Sequence, residues 1–185
     1  MVNLFIRASF IKKMLLFASK DECQWAIYNA MCVRKHGENE VEFAATDGHK
    51  LVVIRRPLEQ EEQIDDNATY IVSIGTLPLK GKYLSYHLTV VAEESCFNDG
   101  ENVFKSPLRN VSYPDYRKLF EPLIDAPKAE KFAMFKSENI KAAEQVLTDA
   151  NYERPTTKDD RVFLWKNELA SEKIYVLMAA IVCSK

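Results

Sequence analysis

Few side chains in this sequence could do chemistry, and they are scattered. The histidines stand at 36, 49 and 87, and the cysteines at 23, 32, 96 and 183. No C-x-x-C pair and no His/Cys grouping has zinc-ligand spacing, so no metal site is expected. The thiols read as free and mostly buried in a reducing cytosol. The densest group of reactive types is Asp47-Gly48-His49-Lys50. An Asp and a His could work as acid and base in a small hydrolase, but no nucleophile or third supporting group accompanies them. No glycine-rich phosphate loop is present. The chemistry points away from an enzyme and calls for no cofactor.

The elements that carry these residues are clearer. Phe43-Ala44-Ala45-Thr46 and Leu51-Val52-Val53-Ile54 flank Asp47-Gly48, a strong hairpin signal because Gly takes φ > 0 without steric cost. Thr46 and Asp47 can bond back to turn amides. Before it, Val2 to Ile6 reads as a strand. A helix capped by Ser9 follows, with Phe10, Ile11, Met14, Leu15, Phe17 and Ala18 on one face. Lys12, Lys13, Ser19 and Lys20 occupy the other face, with Leu16 as an apolar exception. Trp25 to Arg34 and Val41 to Ala45 read as strands. The first third is therefore strand–helix–strand–strand–strand.

Leu58 to Asn67 reads as an acidic linker loop and Tyr70 to Ile74 as a strand. Gly75, Pro78 and Gly81 forbid a long helix after it. Tyr83 to Ala92 and Val103 to Val111 are predicted strands around Asn98-Asp99-Gly100. Pro114 to Pro122 reads as a short helical turn. Ala126-Pro127-Lys128 marks a boundary. Beyond it come a strand at Phe132 to Phe135 and a helix from Ser137 to about Ala150, with Ile140, Ala143, Val146, Leu147 and Ala150 on its apolar side. Strands at Val162 to Trp165 and Lys173 to Val182 complete the chain. The domain reading is 1–125 as one unit and 126–185 as a partial second unit, which can stand beside the first or pack into the same domain.

With 185 residues the chain can bury a real core. Its net charge is −2, yet residues 1–57 hold nine Lys/Arg and six Asp/Glu, a local +3. Arg7, Lys12 and Lys13 interrupt the apolar N-terminus, so it does not read as a signal peptide, and no run reaches membrane-spanning length. A cytoplasmic protein with no membrane partner is expected.

Two strings carry a family resemblance. Ala45-Thr46-Asp47-Gly48-His49-Lys50-Leu51 resembles the Ala-Thr-Asp-Gly-His-Arg-Leu signature of the bacterial DNA sliding clamp, the β subunit of DNA polymerase III. Tyr113-Pro114-Asp115-Tyr116-Arg117-Lys118-Leu119 resembles that family's Phe-Pro-Asp-Tyr-Arg-Arg-Val, in the same order and at a similar separation. Tyr175-Val176-Leu177-Met178 is similar to a Tyr-Val-Val-Met near the clamp's C-terminus, with Ala179 in place of the following Pro.

The resemblance implies an α+β sliding-clamp (DNA clamp) fold: repeated β-α-β-β-β units, antiparallel sheets and helices on one face. The repeat at 75–84 departs from it by lacking its helix. It also implies a homo-oligomer around duplex DNA, held through phosphates without reading sequence. Arg7, Lys12, Lys13 and Lys20 match that DNA-facing role, while the acidic polar side of the second helix (Glu138, Glu144, Asp149 against Lys141) argues against a uniformly positive channel. It further implies a pocket for short peptides of polymerases or clamp loaders, formed by Gly48, His49, Lys50, Leu51, Pro114, Lys118, Leu119, Val176 and Met178, with Leu51 and Leu119 as its floor. A full bacterial clamp has three similar domains and this chain has material for about one and a half. The expectation is a shortened processivity factor, or else a clamp-fold interaction module that does not encircle DNA.

Overall fold

The computed structural model describes residues 2–80, 84–130, 133–147, 155–159, 161–169 and 171–180. Strand β1 (Val2–Arg7) alternates strictly, with Val2, Leu4 and Ile6 buried and Phe5 and Arg7 exposed. Helix α1 (Ala8–Leu15) follows without a linker and buries Ala8, Ile11 and Met14 at helical spacing. Strands β2 (Ala30–His36), β3 (Glu40–Thr46) and β4 (Lys50–Pro57) form a meander. The short β5 (Gln63–Ile64), β6 (Thr69–Ser73), β7 (Ser85–Val91), β8 (Glu94–Asn98) and β9 (Val103–Pro107) come next. Two helices, α2 (Arg117–Ile124) and α3 (Ser137–Val146), precede the hairpin of β10 (Val162–Glu168) and β11 (Lys173–Ala179).

The strands make two sheets, ordered β5-β1-β7-β8-β9 and β10-β11-β4-β3-β2-β6, and every ladder is antiparallel. One face of the six-stranded sheet carries Val33, Phe43, Ala45, Val52, Ile54 and Val176 into the main core. There they meet Leu4, Ile6, Tyr86 and Phe97 from the five-stranded sheet, and Ile11, Met14, Ala143 and Val146 from α1 and α3. The other face carries Cys32, Ala44, Leu51, Val53, Tyr175 and Leu177, and is covered by Tyr116, Phe120 and Leu123. Burial on both faces explains why Phe43-Ala44-Ala45 and Leu51-Val52-Val53-Ile54 are unbroken apolar runs instead of alternating ones.

Helices α1 and α3 pack against each other on the inner face, as the repeated-unit reading expects. The tail does not stand apart: β11 pairs with β4 along its length, from Lys173 opposite Arg55 to Met178 opposite Lys50.

Several predicted elements differ in extent. Helix α1 ends at Leu15, its N-cap is Arg7, and Ser9 lies inside it, so Lys20 is past the helix and not on its basic face. Leu16, the apolar exception, packs partly buried on the main core. Gln24 to Tyr28 is a turn, and β2 begins only at Ala30. The linker contributes β5, which pairs with β1. Between β7 and β9 lies a strand the sequence reading missed, because Ala92 and Glu93 take φ 47° and 67° in a turn that neither residue type advertises. Residues 133–136 are not a strand, while Phe132, the end of the expected second helix (148–150) and residues 181–182 of the last strand lie outside the described residues. On α3 the buried side is Asn139, Ala142, Ala143 and Val146, and Ile140 is exposed.

The described part of 75–84 holds no helix. A Cβ on Gly75 would stand 2.6 Å from the Cβ of Asn29, and the Ile74 amide bonds the Asn29 carbonyl at 2.9 Å. This close approach ties the end of β6 to the start of β2.

Phe43 is fully buried, edge-on to Phe10 at 4.8 Å, and shared by strand, helix and the opposing sheet. Phe43→Ala is expected to cost about 3–5 kcal/mol, read as a lower urea midpoint with an unchanged m-value.

Candidate functional site

The Asp-Gly turn is self-contained. The Asp47 carboxylate accepts the amides of His49 and Lys50, both at 2.9 Å, and its second oxygen pairs with Lys50 Nζ. Thr46 Oγ1 donates to the Lys50 carbonyl at 2.7 Å and accepts the Gly48 amide at 3.0 Å. Gly48 has φ 88°, so a side chain there would be strained. Burial opposes ionisation of Asp47, but the Lys50 ammonium and the two amides outweigh it and hold the carboxyl below its ordinary value. Its oxygens are thus engaged by the turn, and its bond to His49 runs to the backbone amide, not to the imidazole.

The second string meets this turn in space. Tyr113 donates its hydroxyl to the Ala44 carbonyl at 3.3 Å, and Tyr116 and Phe120 pack over Ala44, Leu51 and Leu177. The C-terminal strand is also in place, with Leu177 opposite Leu51 and the Ala179 amide bonded to the His49 carbonyl at 3.1 Å.

Side-chain directions reshape the expected pocket. Alternate residues of β11 face opposite sides, so Leu177 shares the outer face with Leu51, while Val176 and Met178 are buried in the main core on the inner face. Val176 and Met178 therefore do not line an outer-face pocket. Leu51 is 5% exposed within the outer-face cluster, whereas Leu119 is 63% exposed and not part of that cluster, so they form no common floor. Gly48, His49, Pro114 and Lys118 are exposed, and Lys118 pairs with Asp115 at 2.8 Å.

Beneath the second string lies a buried charge cluster centred on Glu42, which is fully buried. Arg34 Nε and Arg55 Nε reach its two carboxylate oxygens at 2.7 Å each. Tyr116 donates its hydroxyl at 2.8 Å, and Arg117 Nη2 approaches at 3.2 Å. The guanidinium of Arg34 lies over the Tyr116 ring at 4.8 Å and that of Arg55 over Phe120 at 5.1 Å. Burial raises the cost of the Glu42 charge, but Arg34 and Arg55 more than offset it and the carboxyl stays below its ordinary value. Burial pushes the neighbouring Cys32 thiol up to about 12, so it is protonated and inert at neutral pH. For His36 burial dominates, helped by Arg55, and favours the neutral ring. Sequence reasoning missed this cluster. Its signal was register: Arg34 and Arg55 stand directly opposite Glu42 on the two neighbouring strands.

The residues matched to DNA spread along the first unit. Arg7 and Lys12 are exposed, Lys13 lies 3.9 Å from Glu172, and Lys20 is exposed beyond the helix. Among the described residues no group of His, Cys, Asp and Glu could hold a metal ion.

No protein-family model matches this sequence, and no curated protein matches it. Solved structures do match. The DNA polymerase sliding clamp from Pseudomonas aeruginosa aligns over 98% of this chain and 67% of its own, with a TM-score of 0.64 and 13% identity. This chain has the sliding-clamp fold. The Helicobacter pylori beta clamp bound to a DNA ligase peptide aligns over 99% of this chain and 66% of its own, with a TM-score of 0.58 and 10% identity. For the DNA polymerase III beta chain from Streptococcus pneumoniae the values are 97%, 49%, 0.52 and 16%. The clamp fold is thus reproduced at low identity by a chain spanning half to two thirds of these proteins.

Glu42→Gln keeps the shape and removes the charge that three arginines share. The expected cost is about 3–5 kcal/mol, measured by urea denaturation at pH 7. Because the folded-state carboxyl titrates below its unfolded value, its stabilisation is complete above about pH 5. It is lost as pH falls through the unfolded value toward the lower folded one. A stability profile from pH 6 to 3 should therefore fall less steeply for Glu42→Gln than for the parent.

Proposed function

We propose that this chain is a sliding-clamp-like processivity factor that oligomerises around duplex DNA and binds short peptide segments of replication proteins. One observation supports this reading most: the Asp-Gly turn, the Tyr113–Leu119 string and the C-terminal strand converge on one face, while α1 and α3 pair on the opposite face of the same sheet. A clamp needs those two faces to be separate, one for partners and one for DNA. Exposed His49, Pro114, Lys118 and Leu119 would meet the peptide, with Leu177 and Leu51 closing the surface beneath. Arg7, Lys12 and Lys13 would meet phosphates, aided by Lys20, which lies five residues past the end of the helix. Contacts of that kind ignore sequence and weaken with salt.

A second reading is a clamp-fold interaction module that keeps the peptide surface without encircling DNA. It is favoured by the inner helices themselves: Lys13 is partly neutralised by Glu172, and α3 has Glu138 in its first turn and no basic residue in its last. Light-scattering mass separates the two, since a ring requires a closed oligomer and a module can remain monomeric.

Reversing charge at Lys12, Lys13 and Lys20 together is expected to abolish retention on duplex DNA at low salt while leaving the far-UV spectrum unchanged. Unchanged retention would remove these residues from the DNA-facing role.

His49→Ala and Leu119→Asp are each expected to weaken capture of a clamp-binding peptide, read by fluorescence anisotropy, while changing the urea midpoint little. Both side chains are exposed, and surface changes usually shift stability by under about 0.5 kcal/mol. Unaltered capture in both variants would move the peptide surface elsewhere.

A further inference from the structure

Strand β1 pairs with β7 along its whole length, from Val2 opposite Val90 to Arg7 opposite Ser85. On its other side β5 reaches only Val2 and Asn3. A tight turn, in which the Glu62 amide bonds the Glu59 carbonyl at 3.0 Å, ends β5 there. Backbone groups of alternate residues point to the same side of an antiparallel strand, so Phe5 is the next residue after Asn3 to face this edge. No strand among the described residues meets it. Beside it opens a cleft of about 340 Å³ lined by Ile6, Arg7, Phe10, Glu59 and Ser171.

Two side chains take the place of a strand. The Phe5 amide donates to Glu62 Oε1 at 2.7 Å, and Arg56 Nη2 donates to the Phe5 carbonyl at 3.1 Å. That is one acceptor and one donor, as a paired strand residue would offer. The two side chains hold each other in a fork, Nη1 to Oε2 at 2.5 Å and Nη2 to Oε1 at 2.6 Å. Glu62 is buried, which opposes its charge, but Arg56 and the amides of Glu59 and Phe5 outweigh that and hold the carboxyl below its ordinary value. A buried ion pair is by itself weak evidence for stability. This one stands where it satisfies a strand edge. The strand it covers, Val-Asn-Leu-Phe-Ile-Arg, has no Pro, no Gly and a single charge at its end. Uncovered segments of that kind take up strands from other chains.

We infer that Arg56 and Glu62 act as a surrogate strand residue that closes the β1 edge to strand addition by a second copy of the chain. A second copy is the occupant because each copy also carries a donor. Strand β9 ends the same sheet and, among the described strands, pairs only with β8. An acceptor edge on one copy and a donor edge on the next make a head-to-tail contact, which grows into filaments when the rotation does not close. The inference does not rest on the clamp reading, since whatever closed oligomer the parent forms is the baseline.

The test is sedimentation of the whole chain across a wide concentration range. The parent should level off at one mass. Arg56→Met combined with Glu62→Ala removes both charges together and keeps an aliphatic stem over Phe43, so it opens the edge without stranding either ion. Its apparent mass should climb past the parent's by about twofold or more, the step from one copy to a pair, with thioflavin T fluorescence appearing at the high end. Adding Phe5→Pro should restore the parent's mass, because proline removes the amide that faces this edge and none that serves β7. Glu62→Gln keeps the shape and weakens the fork. It should associate to a smaller degree, and it decides the matter if the double variant does not fold. An open-ended rise in the parent, a parent-like mass at every concentration in each variant that folds, or association that survives Phe5→Pro would overturn the inference.

Discussion

One buried carboxylate organises the outer half of this molecule. Glu42 sits on the third of six strands and is reached by arginines from the strands on either side, by Tyr116 from the segment before α2 and by Arg117 from α2 itself. The helix that covers the outer face carries only Phe120 and Leu123 as buried apolar residues and contains Pro122. Apolar burial on that scale contributes only a few kcal/mol, so the charged contacts do much to fix where α2 lies. Because one carboxylate serves three guanidinium groups, the cluster is sensitive to its centre and tolerant at its edges. Losing Glu42 strands several cations at once, while losing Arg117 removes a partly exposed partner.

The β4–β11 seam supplies the second constraint. Residues 173–178 run antiparallel to β4, so the tail completes a sheet the first part of the chain leaves open at that edge. An unpaired β4 would be a long apolar edge of the kind that invites aggregation. Pairing it with β11 also brings the last strand beside the Asp-Gly turn, and a surface made from sequence-distant segments arises without any loop having to reach across. The stability of the fold and the assembly of the candidate partner face thus share the same hydrogen bonds.

The two faces of the six-stranded sheet divide the work. The inner face is bound to the second sheet and to α1 and α3 mostly by aliphatic and aromatic side chains, with one buried pair, Arg56 and Glu62, tying β4 to the Phe5 backbone of β1. The outer face is held by charge, ring stacking and directional hydrogen bonds, and leaves polar groups at its surface. An interaction surface profits from the latter arrangement, because its donors and its shape are set before any partner arrives.

Much was legible in the sequence. Asp47-Gly48 between apolar runs dictated the hairpin, since turn chemistry is local and glycine alone takes φ 88° without strain. The 3.6-residue period of Ile11 and Met14 dictated α1, and Gly75, Pro78 and Gly81 spoke against a helix after β6. The two strings pointed to the sliding-clamp fold, which superposition bears out at 13% identity. What only the tertiary structure decided was which way side chains face and which charges meet. Val176 and Leu177 are equally apolar, and the alternation of β11 alone could not say which of them faces the core, because that depends on its register against β4. Ala143, Val146 and Leu147 are buried as their spacing suggests, but Ile140 is exposed and Asn139 buried, because the edge of α3's buried stripe is set by the α1 and β11 surfaces it packs on. Glu42 looked like an ordinary strand residue until register placed Arg34 and Arg55 opposite it, since pairing between strands is a long-range event that no local pattern encodes.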